Sequence, residues 1–185
     1  TPDRMLTRQG TAALDRWKIL PDDSAGTPLH LTPPGRFLRH VAGLFDRPLD
    51  AEALLTLLKH PLTHSGEGRN DHILKTQKLE LRMRRDGLPY PDRESLLHGA
   101  SRADKTDEGG MQVWARWVAE VTCAQIIPDT LTVGAWVDRH LTLATSIADG
   151  PTGIDGGELW LKKAGLEARK TMDAVMCEAD TGVEL

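Results

Sequence analysis

A chain of 185 residues with 39% hydrophobic content is long enough to bury a core, and one domain of ordinary size is the default. Its formal net charge of −4 excludes a bulk electrostatic grip on nucleic acid and leaves only a local basic face for that role. Two isolated cysteines, Cys123 and Cys177, exclude a disulfide framework and a paired metal site and point to a reducing, cytoplasmic compartment. No apolar run nears the roughly 20 residues of a membrane span, and no signal-peptide pattern opens the chain. The start at Thr1 without Met and the unfinished TGVEL ending lead us to expect a segment of something longer.

In chain order, residues 1–17 read as an amphipathic helix, with Pro2 at a first helical position and Met5, Leu6, Ala12, Ala13, Leu14 and Trp17 recurring. Residues 18–20 are expected to form a brief strand, and Pro21 to Gly26 carry turn chemistry. ILPDD (19–23) is not a nucleotide-site strand, because Pro21 interrupts it and the chain contains no G-x-x-x-x-G-K-[ST]. Thr32 caps the next helix, Pro33 and Pro34 suit its first turn, and Phe37, Leu38, Val41, Leu44 and Phe45 share one face. Asp50 caps a Leu-rich helix, apolar nearly all round and so expected to be buried, that Pro61 closes.

His60 and His64 stand four apart, but Pro61 between them ends the helix, so we read surface histidines rather than metal ligands. Residues 71–86 form a helix stopped by Gly87. At 100° per residue, Lys75, Lys78, Arg82 and Arg85 fall in a stripe about 80° wide, with Leu74 and Leu81 on one flank. Such a stripe can track a phosphate backbone, and four contacts would give a salt slope of up to about 3 to 4. The bland alternative is a solvated face with Glu80 and Asp86 as counter-charges.

Beyond an extended Pro-rich turn at 88–92, ESLLHGA supplies a turn or two of helix, and SRADKTDEGG reads as a mobile loop. Met111 to Ala124 is a helix whose Trp114 and Trp117 belong to the core rather than to a base-stacking platform. Thr132 caps a helix running to Asp149, with His140 on its apolar face as a hydrogen-bonded interior histidine. A last helix is expected from about Glu158 to Asp180. The fold is therefore all-α, six to eight helices in an irregular domain, since no segment alternates with period two. No residue set signals catalysis, a metal or a cofactor.

Several stretches resemble a known family. LLxLLKHPL is similar to the segment that opens the accessory 2B domain of UvrD-like superfamily 1 helicases. TPDRMLTRQGTAALDRWKI, DDSAGTPL, TPPGRFLRHVAGLF, LRMRRDGLPYP and AWVDRHLTLA resemble the helicase-like AddB family of bacterial AddAB helicase-nucleases. The resemblance implies residues 1–30 as a remnant of a 2A-like domain and 31–185 as a 2B-like helical domain. It also implies a non-catalytic role in DNA double-strand break repair, with DNA and the AddA helicase-nuclease subunit as partners. The family's nucleotide-contacting Arg would lie near Thr1 or just upstream, and no Arg occupies Thr1; the family's nuclease and cluster-binding motifs fall outside the segment. Two rivals stand beside this reading: a stand-alone helical protein-interaction domain without DNA contact, and a small helical enzyme needing a polar cavity lined by His with Asp or Glu.

Overall fold

The computed structural model describes residues 4–19, 26–103, 110–123, 125, 130–153 and 157–179. Among them lie eight α-helices and no strand: Arg4–Asp15 (α1), Pro33–Ala42 (α2), Ala51–Lys59 (α3), Arg69–Asp86 (α4), Arg93–Ala103 (α5), Met111–Thr122 (α6), Val133–Asp149 (α7) and Lys162–Glu178 (α8). The all-α expectation holds. Leu20, the end of the expected brief strand, lies outside the described residues, and Lys18 and Ile19 form a turn and its exit.

Local chemistry sets most helix starts. Thr32 Oγ1 accepts from the Gly35 N–H at 3.3 Å, Asp50 Oδ1 from the Ala53 N–H at 2.7 Å, and Thr132 Oγ1 from the Ala135 N–H at 3.2 Å. Gly87 ends α4 with φ 62°, its N–H returning to the Met83 carbonyl. α5 runs through Ser101 to Ala103, part of the segment expected as loop. A reciprocal cap starts it: the Ser95 N–H donates to Asp92 Oδ1 at 2.8 Å and the Asp92 N–H to Ser95 Oγ at 2.9 Å. Its buried face is built from Leu96, Gly99 and Ala100, small residues that a search for bulky periodicity overlooks.

The last helix also differs from expectation. Glu158–Trp160 forms a single 3-10 turn, Leu161 is extended, and α8 starts only at Lys162. A Cβ at Gly165 would stand 2.6 Å from the Leu159 carbonyl oxygen, so the turn folds back against α8 where that residue has no side chain.

The core gathers Phe37 and Val41 from α2, Leu54, Leu57 and Leu58 from α3, Leu79 from α4, Leu96 from α5, Met111 and Trp114 from α6 and Ile147 from α7. Each such side chain contributes about 1.5–3 kcal/mol through its removal from water. α5 packs on α4 and α6, α3 on α4, and α2 on α7 and α8. None of the described side chains of α1 belongs to this core, and Met5, Leu6, Trp17 and Ile19 remain exposed.

One loop is folded more tightly than its polar sequence suggests. The backbone N–H groups of His64 and Ser65 donate to the Ile147 and Ala148 carbonyls, both at 2.9 Å, satisfying acceptors that the end of α7 leaves unpaired. This docking buries His64 to 7% exposure and corrects its surface reading. Gly150 makes the docking possible: its φ is 87°, and a Cβ there would lie 2.2 Å from His64 Cδ2.

Candidate functional site

α4 carries Arg69, Lys75, Lys78, Arg82, Arg84 and Arg85 against Asp71, Glu80 and Asp86, a surplus of positive charge in a chain of net −4. His72, Thr76, Leu79 and Met83 form its buried face. Opposite them, Lys78 and Arg85 point outward one heptad apart, beside Leu74 at 58% and Leu81 at 57% exposure.

The other two members of the expected stripe lie on the flank, with side chains only 13% (Lys75) and 16% (Arg82) exposed. Lys75 Nζ lies 2.6 Å from Asp71 Oδ2. Arg82 grips both oxygens of Asp86, its Nε 2.7 Å from Oδ2, and this fork holds the Asp86 carboxyl below its usual range. Glu80 joins Lys59 to Arg84, and the Lys59 hydrogen bond, ahead of Arg84, depresses its carboxyl. The four residues therefore share one side of α4, with Lys78 and Arg85 exposed and Lys75 and Arg82 largely covered. An i,i+4 pair of this kind is worth only about 0.3–0.5 kcal/mol, so a phosphate can compete with it.

Sequence reasoning misses a buried polar network behind that face. His72 is fully buried, with Nε2 2.7 Å from the Leu58 carbonyl and Nδ1 3.0 Å from Trp114 Nε1. An indole N–H only donates, so Nδ1 is the acceptor and the proton of the neutral ring sits on Nε2. Burial is the main cause that lowers the His72 pKa to about 4, with Arg69 and His64 acting the same way. Both ring nitrogens are thus occupied, and the described residues hold no group of three or more His, Cys, Asp or Glu able to bind a metal. Trp114 and Trp117 are buried, as expected of core residues, and the His140 Nε2–H donates to the Leu38 carbonyl at 2.8 Å.

A groove of about 420 Å³ opens between the loop before α3, the start of α5 and the end of α6. Leu44, Leu49 and Leu54 line it with Arg47, Arg93 and Cys123. Burial pushes the Cys123 thiol up, the opposite of what a nucleophilic cysteine requires. The Asp92 carboxylate at its rim is engaged in capping α5.

A second gathering of basic groups, Arg36, His40, His60 and Arg69, also escapes the sequence, because α2, the end of α3 and α4 each contribute to it. Comparison with protein-family models, with curated proteins and with solved structures gives no match to this chain.

Proposed function

We propose that this chain is a non-catalytic helical segment of an AddB-like, helicase-related subunit, positioning DNA and an AddA-like partner during double-strand break repair. The motif resemblance in LLTLLKHPL and LRMRRDGLPYP motivates the identity. The observation that carries DNA contact is the outward row of Lys78 and Arg85 on a helix of surplus positive charge. Lys75 and Arg82 join only by leaving Asp71 and Asp86, so the log–log salt slope of about 3 to 4 for four phosphate contacts is an upper bound. Contacts of that number are non-specific and weak, effective only while other parts of the assembly hold DNA nearby.

The test is duplex binding by fluorescence anisotropy across a salt series, for the parent chain and for a K78Q/R85Q variant. Loss of the slope in the variant supports the reading; equal affinity and equal slope in both proteins refute it. One observation favours the protein-interaction reading instead. Leu74 and Leu81 expose more than half their surface beside the same row, as an interface helix does. In that case L74S/L81S changes partner capture while leaving the DNA slope unaltered.

A further inference from the structure

Where α2, the end of α3 and the first turn of α4 meet, four side chains converge that no local pattern links. The His40 and His60 rings stand 6.1 Å apart between centroids, and Phe37 packs on His60 at 5.2 Å. The Arg69 guanidinium donates to the Thr63 carbonyl and, at 3.2 Å, to the Lys59 carbonyl, which fixes it while leaving three of its five N–H groups unused by those two bonds. Arg36 is exposed beside them. His60 Nδ1 accepts the Leu62 N–H at 3.2 Å, so the neutral ring carries its proton on Nε2, which donates to no acceptor among the described residues.

The charges acting on His60 have one sign. Burial, then His40 and Arg36 from α2 and Arg69 from α4, hold its pKa down to about 4, and no carboxylate is among the causes. Burial and then Arg39 lower His40 likewise. On α3 itself the neighbouring Lys59 is already paired with Glu80. Cationic groups packed together without a counter-charge repel one another, and an anion seated among them relieves that cost.

We propose that Arg36, Arg69 and the Nε2–H of His60 form a binding site for a phosphate-type oxyanion, with His40 as an added charge in acid. Arg69 is pre-oriented by its two carbonyl bonds, exposed Arg36 adds a second guanidinium whose charge acts on His60, and the imidazole supplies a directed donor. The site lies across the buried face of α4 from Lys75 and Arg82, so it is separate from the outward row. Its ligand is a phosphate group, carried either by a nucleic-acid backbone or by a free phosphorylated molecule.

Sulfate keeps its charge across the range in which histidine titrates and is the probe. Histidine side-chain NMR spectra of the chain are followed during sulfate addition, against chloride at matched ionic strength. The His60 and His40 signals should shift saturably while exposed His98 does not, and R36Q should weaken binding by about tenfold, the loss of one charge-assisted contact. Affinity should be tighter at pH 5.5 than at pH 7.5 by about 3- to 10-fold, because the anion draws protons onto the rings; H60Q, which retains an N–H donor, should lose most of that dependence. A short oligonucleotide and O-phosphoserine then compete with sulfate, and the one that displaces it names the source. Shifts that do not saturate, that chloride reproduces, that R36Q leaves unchanged, or that neither competitor reverses overturn the site. Sulfate binding that survives K78Q/R85Q separates this proposal from the DNA row, whose failure would leave it standing.

Discussion

Acid should destabilise this domain through His72 before its carboxylates begin to titrate. The ring is neutral in the fold, with its pKa held down to about 4, whereas in the unfolded chain it titrates near 6.5. A histidine depressed on folding contributes its full stability above the unfolded value, and that contribution is lost as the pH falls from 6.5 toward 4. At about 1.4 kcal/mol per pH unit the whole window amounts to about 3 kcal/mol, of which about 2.5 is gone at pH 4.5. H72Q removes the titration but keeps a donor and an acceptor for the Leu58 carbonyl and the Trp114 N–H, and should cost about 2 kcal/mol at pH 7.5 through poorer hydrogen-bond geometry. The two stabilities should therefore converge or cross near pH 4.5. Urea denaturation followed by circular dichroism, repeated from pH 7.5 to 4.5, measures this directly. Glu80, Asp86 and Asp92, depressed by hydrogen-bonded partners, lose their contributions at lower pH, and His40, His60, His64 and His140, depressed first by burial, do so over the range of His72; all are present in both proteins, so the difference reports the His72 substitution. A gap that stays constant across the series would show that His72 does not titrate as its burial and bonding require.

Two further perturbations test the packing. G150A places a Cβ against His64 in a left-handed backbone region and should destabilise by about 2 kcal/mol or more, read as a lower urea midpoint with the slope unchanged. D50A removes the cap of α3 and should cost about 1 kcal/mol, with the same readout, and D50N should restore most of it.

Features that depend on residues three or four apart were legible in the sequence. Thr32, Asp50, Thr132 and Gly87 act where cap chemistry puts them, because a cap and its donor lie within one helical turn. The angular grouping of Lys75, Lys78, Arg82 and Arg85 follows from helical arithmetic in the same way, and so do the spacings Asp71 to Lys75 and Arg82 to Asp86. Which flank α5 and α6 cover depends on tertiary packing, and that decides how far Lys75 and Arg82 reach solvent. His72 and Trp114 are 42 residues apart, so their bond had no local trace. His64 looked like a surface residue because nothing near it in sequence announces the end of α7 as its partner.

The bond from His140 to the Leu38 carbonyl spans 102 residues, and α2 rests on α7 and α8. During synthesis at about 5–20 residues per second, α2 emerges roughly 5–20 s before the helix that covers it. For that interval Phe37, Leu38 and Val41 lack the α7 and α8 surfaces that pack on α2, which leaves an apolar helix face open to a ribosome-associated chaperone.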